Sequence, residues 1–72
     1  MTLYEYCREA RLRANISLRQ AAFEMGYSPA TVSRFEQGKI FRLNPDLLHW
    51  YCNNTDICDE KGVLYFDSKT VS

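Results

Sequence analysis

The sequence predicts a mainly α fold: a compact bundle of short helices, two of them joined by a tight turn, with a short hairpin near the C-terminal end. Two observations lead there. Apolar residues recur three and four positions apart in separate stretches, which puts them on one face of a helix in each. Between those stretches stand cap residues, prolines and glycines of the kinds that start and stop helices. The 72 residues suffice for one small domain, and a hydrophobic content of 46% with five Tyr, four Phe and one Trp argues against disorder.

In the first helix, from Thr2 to about Asn15, Leu3, Cys7, Ala10 and Ala14 form the inward stripe. Thr2 is placed to cap it. Tyr4 and Tyr6 flank the stripe, while Glu5, Arg8, Glu9 and Arg13 supply a solvated face. Asn15, which tolerates a left-handed backbone, closes the helix, and Ile16 packs inward. Ser17 caps the second helix, and Gln20, three residues on, completes a Ser-x-x-Gln capping box. Ala21, Ala22 and Met25 face in, the two alanines permitting a close helix crossing.

Gly26 ends the second helix by allowing a left-handed or open backbone, a conformation in which a side chain would clash. Ser28 and Pro29 restart the chain as a third helix, Ser as cap and Pro in the first turn, and Gly38 terminates it. Val32 and Phe35 face in, leaving Pro29, Ala30, Ser33, Arg34 and Gln37 on a small, polar outer face. After a loop over residues 39–44, Asn44-Pro45 begins a fourth helix to about Asn53, with Leu47, Leu48 and Tyr51 inward. The period then changes, and TDIC, DEKG and VLYF fit two short strands around a turn with Gly62 at positive φ. A one-turn helix from Asp56 to Glu60 fits the same residues. The expected division is a helical domain over residues 1–54 and an extension over 55–72.

Nine basic and nine acidic side chains cancel, but unevenly. Residues 1–42 hold seven positive and four negative groups, net +3, and residues 43–72 hold two and five, net −3. That places a basic face on the N-terminal part. No apolar run approaches the roughly 20 residues of a membrane span, and the first residues lack the pattern of a signal peptide, so the expected location is the cytoplasm. Cys7, Cys52 and Cys58 are odd in number and read as reduced thiols.

The residues from about Cys7 to Lys39 resemble the helix-turn-helix family of phage repressors and Cro proteins. The resemblance rests on Arg8 and Arg11, Ser17, Ala22 and Gly26 four residues apart, then Ser28, Thr31, Val32, Ser33, Arg34, Glu36 and Gly38. It implies a lambda repressor-like DNA-binding fold, a bacterial host cell and operator DNA as partner. The third helix would lie in the major groove with Pro29, Ala30, Ser33 and Arg34 nearest the bases. Arg34 would take guanine O6 and N7, and Ala30 with the Thr31 methyl would touch a thymine methyl. Ser17, Ser28, Gln37, Lys39 and Arg42 would contact phosphates. Arg11 and Glu36 match a pair that in this family links the first helix to the end of the recognition helix. The family often has Gln where this chain has Leu18, so one polar DNA contact is lost.

His49, Cys52 and Cys58 lack the fourth ligand of a structural zinc site, so no metal or cofactor is expected. One His, no glycine-rich phosphate loop and little volume for a cleft argue against an enzyme. The aromatics Phe41, Trp50, Tyr51, Tyr65 and Phe66 fit either a second small core or an exposed protein interface. Two functions follow. One is a Cro- or repressor-type regulator on operator DNA, as a homodimer with two recognition helices about 34 Å apart. The other is an antirepressor that binds a phage repressor protein in the lysis–lysogeny switch.

Overall fold

A computed structural model of the chain describes residues 2–39 and 45–65. It holds four helices: α1 (Leu3–Arg13), α2 (Leu18–Met25), α3 (Pro29–Glu36) and α4 (Pro45–Asn54). α2 packs on α3, α1 crosses α3 and α4, and α4 also meets α2. Arg42, Phe41 and Phe66 lie outside the described residues.

Three of the predicted starts are made by their predicted caps, and the fourth cap, Asn44, lies outside the described residues. The Thr2 hydroxyl accepts from the Glu5 amide, Ser17 from Gln20 and Ser28 from Thr31, each satisfying an amide that has no partner within the helix. The capping box is only half formed, because the Gln20 amide donates to Glu24 Oε2 (2.7 Å) instead of turning back to Ser17. The ends share one solution. Asn15 (φ +61°), Gly26 (φ +80°) and Gly38 (φ +72°) adopt the left-handed conformation. The next amide reaches back to the last turn: Ile16 to Arg11 O, Tyr27 to Ala22 O and Lys39 to Arg34 O. These are Schellman endings, which turn the chain sharply while satisfying orphan carbonyls.

The core unites Cys7 and Ala10 of α1, Ala21 of α2, Phe35 of α3 and Leu47, Trp50 and Tyr51 of α4. Ile57, in the segment after α4, is wholly buried in the same cluster. The rings of Tyr4 and Phe35 meet edge to face at 5.3 Å, Phe35 stacks on Tyr51 at 5.6 Å, and Trp50 meets Tyr51 edge to face at 5.1 Å. Such pairs add to the burial of apolar area. Ala14, expected inward, is exposed because α1 has already ended and Ala14 is its C-cap.

The C-terminal segment departs from expectation in two ways. Neither two strands nor a one-turn helix forms among the described residues; the chain makes a turn closed by one antiparallel bridge between Cys58 and Leu64. The reason is local. The Asp59 carboxylate accepts from the Lys61 and Val63 amides and the Asp59 amide donates to Val63 O (2.8 Å), which closes the turn on itself, and the Tyr65 amide donates to Ile57 O (2.8 Å) on the other side of the bridge. Gly62 takes positive φ as expected (+83°). The second departure is that Cys52 and Cys58 are joined as a disulfide, which corrects the reading of three reduced thiols; Cys7 alone is free, and it is buried. Sequence spacing alone did not show that the turn after Asn54 brings residue 58 back beside α4.

Two polar tethers fasten the ends of this frame. Trp50 Nε1 donates to Glu24 Oε1 (3.1 Å), joining α4 to α2, and Arg13 donates to Asp56 Oδ1 (2.9 Å), joining α1 to the segment after α4. Hydrogen bonds from Gln20 and Trp50 hold the Glu24 carboxyl below its ordinary value, and the bond from Arg13 does the same for Asp56.

Gly26 and Gly38 separate two costs. A Cβ at Gly26 would meet nothing within 4 Å, whereas one at Gly38 would sit 3.2 Å from Tyr4 Cδ2. Gly26→Ala should therefore cost only the left-handed backbone penalty of about 1 kcal/mol. Gly38→Ala should cost measurably more in urea unfolding, and equal costs would mean that the Tyr4 ring yields freely. Acid provides a second check. Because both carboxyls are depressed on folding, their contribution is complete above their ordinary values and is lost as pH falls through the lower folded ones. Unfolding followed by Trp50 fluorescence should show stability falling below about pH 4, with a shallower fall in Glu24→Gln.

Candidate nucleic-acid interface

The two central helices present their polar residues outward because their apolar ones are committed to the core. In α3, Val32, Phe35 and Glu36 are buried, which leaves Pro29, Ala30, Arg34 and Gln37 exposed and Ser33 half-buried on the other side. This is the outer face expected from the sequence. Arg34 is exposed and makes no ion pair with any described residue, so its guanidinium donors remain available. Gln37 Nε2 donates to Ser33 Oγ (2.8 Å), which ties the Gln37 side chain back along the helix.

Ser17 and Ser28 sit exposed at the N-termini of α2 and α3, where unpaired amides and the helix dipole favour an anion. Ser28 Oγ also shares a hydrogen bond with Thr31 Oγ1 (2.9 Å), so the half-buried Thr31 turns its hydroxyl to the cap. Lys39 is exposed just past the end of α3. Arg19, in the first turn of α2, is exposed and makes no ion pair with any described residue. The sequence reading omitted it, although its place two residues after the Ser17 cap was the available signal.

Behind this face lies a buried ionic network. Arg11 Nε donates to Glu36 Oε2 (2.8 Å) and a terminal nitrogen to Glu36 Oε1 (3.0 Å), a two-pronged pair with both residues at most 6% exposed. The other terminal nitrogen donates to Ile16 O (2.8 Å) in the turn between α1 and α2. The Tyr51 hydroxyl of α4 donates to Glu36 Oε2 as well. Among the described residues no buried side-chain polar atom is left without a partner. Hydrogen bonding to Glu36 raises the Arg11 guanidinium further, while burial and then the Glu36 bond raise the Tyr51 phenol. Burial, with the Glu36 charge beside it, pushes the Cys7 thiol up to about 12, which keeps it an inert core residue.

The aromatic candidates separate accordingly. Trp50 and Tyr51, offered as interface residues, are core residues at 8% and 0% exposure, because with Leu47 they form one inward stripe of α4. Their polar tips meet Glu24 and Glu36. Tyr65 is exposed. The described residues hold no group of His, Cys, Asp and Glu arranged for a metal ion, and no helix among them is long and apolar enough to cross a membrane.

Comparison with known proteins agrees with this architecture. Searches of curated proteins and of solved structures return no match. A family model described as "Helix-turn-helix domain" matches residues 5–53, a span that takes in α2 and α3, most of α1 and nearly all of α4. DNA binding and transcription regulation are what such a domain suggests. With caps, turn glycine, crossing alanines and family match in agreement, the chain belongs to the helix-turn-helix domain family.

Proposed function

We propose that this protein is a transcription regulator of the Cro/repressor type that binds operator DNA with α3 in the major groove. The observation that carries the reading is the outer face of α3, polar, exposed and carrying Arg34, which pairs with no described residue, on a helix held from behind by Glu36. Arg34 reads a guanine through O6 and N7, and Ala30 lies against a thymine methyl. Ser17, Ser28, Gln37 and Lys39 bind phosphates and set the docking angle, with Arg42 assigned the same role from the sequence. Arg19 adds a cation at the start of α2. Two such modules, as a homodimer, would fit a two-fold operator.

Capture of a repressor protein is the second reading. It rests on the zero net charge, the acidic C-terminal part, Leu18 in place of Gln and the aromatic content, and of those aromatics Trp50 and Tyr51 are internal while Tyr65 is exposed. DNA is therefore the better supported partner.

Fluorescence anisotropy with duplex DNA tests the reading, beginning with the DNA adjoining the protein's own gene. Affinity should fall with salt at a log–log slope of about −0.9 per phosphate neutralised. Arg34→Ala should weaken specific binding by about 1–3 kcal/mol and relax selectivity at one base pair, while Lys39→Ala should weaken all sequences alike and flatten the slope. Absence of salt-dependent duplex binding at low ionic strength would overturn the proposal, and a micromolar complex with a neighbouring repressor would favour the second reading.

A further inference from the structure

We propose that Cys52 and Cys58 form a redox-operated clasp that fastens the segment after α4 to the helical core. The inference does not depend on DNA binding. Three observations carry it. First, the fold brings the two cysteines to a Cα separation of 5.1 Å across six positions, within the range a disulfide spans, and joins them. Second, both are only half-buried, unlike Cys7, so an external thiol can reach the bond. Third, the closed loop contains Ile57, wholly buried beside Trp50 and Tyr51 in the core cluster. The clasp thus starts one residue after Tyr51 and encloses an apolar anchor.

The other fastenings of this segment are weak. Arg13–Asp56 is an exposed ion pair of the kind that contributes little. The Thr55 amide bonds to Tyr51 O, the Asp59 amide to Val63 O and the Tyr65 amide to Ile57 O, all local. Without the clasp, Ile57 and the packed Leu64 must hold the segment down against its regained chain entropy.

The chemistry is thiol–disulfide exchange with a low-molecular-weight thiol. A thiolate of the small thiol attacks one sulfur, forming a mixed disulfide and releasing the other cysteine, which takes a proton. A second small thiol then displaces the first cysteine. The Cys52–Cys58 bond is lost, two cysteine thiols and one small disulfide form, and two electrons have passed to the protein. The small disulfide, in excess, drives the reverse.

The 72-residue chain, equilibrated with either oxidised glutathione or dithiothreitol, tests the proposal. Intact-mass measurement after native alkylation with N-ethylmaleimide should show no adduct on the oxidised form and two on the reduced form, reversibly. Amide exchange at Thr55, Asp59 and Tyr65 should quicken at least tenfold on reduction while α1 to α3 keep their protection. By the loop-entropy relation, reduction should lower the folded-to-unfolded ratio by roughly 50-fold, and the melting temperature by about 10 °C. The Cys52→Ser/Cys58→Ser variant should show the amide exchange and melting temperature of the reduced form in both conditions and take up no adduct in either, which excludes Cys7 as the source. Two adducts on the oxidised form, or equal amide exchange in the two states, would overturn the proposal.

Discussion

The arrangement depends most on one buried carboxylate. Glu36 lies at the end of α3 and accepts from Arg11 of α1 and Tyr51 of α4, while Arg11 also holds the carbonyl of Ile16 in the turn before α2. One charge pair therefore fixes three helices and a turn. Its value is not chiefly net stability, since desolvating two ions consumes much of the attraction between them. Its asymmetry is what matters: removing one partner strands the other, a loss of about 3–5 kcal/mol. A domain of this length has only about 4–10 kcal/mol in total. The pair acts as a constraint on where α3 can sit.

The turns work to the same end. Three left-handed endings let four short helices reverse direction in a few residues, and Ala21 and Ala22 are small enough for α3 to cross α2 closely. Neither short helix is long enough to be stable alone, so both form because the core takes up one face of each. The face left over on α3 is the one that carries Arg34. On the proposed DNA reading, specificity on that face would be sparse, because Pro29 and Ala30 occupy positions where larger polar residues could have read bases.

Local rules reached most of the fold and stopped where distant residues meet. The caps at Thr2, Ser17 and Ser28 and the endings at Asn15, Gly26 and Gly38 were legible because each needs only a few neighbouring residues. The outer face of α3 was legible for the same reason, and the Arg11–Glu36 pair was reached through the family resemblance. Tyr51 was less so: spacing placed it inward, but nothing local announced that its hydroxyl would meet a carboxylate fifteen residues earlier. Trp50 fitted a core or an interface equally in the sequence because its partner, Glu24, is in α2. The disulfide escaped because it depends on the path of the turn after α4, and that turn is set by Asp59 and by the burial of Ile57.

The account's central claim is that the Arg11–Glu36–Tyr51 network positions α3 more than it stabilises the chain. The most direct test replaces all three together with apolar residues, Arg11→Met, Glu36→Leu and Tyr51→Phe, and measures amide residual dipolar couplings alongside urea unfolding. The account predicts a variant that stays folded, with stability within about 2 kcal/mol of the parent, in which the couplings of α3 no longer fit one fixed orientation relative to α1 and α4. A folded variant whose α3 keeps the parent orientation would contradict it.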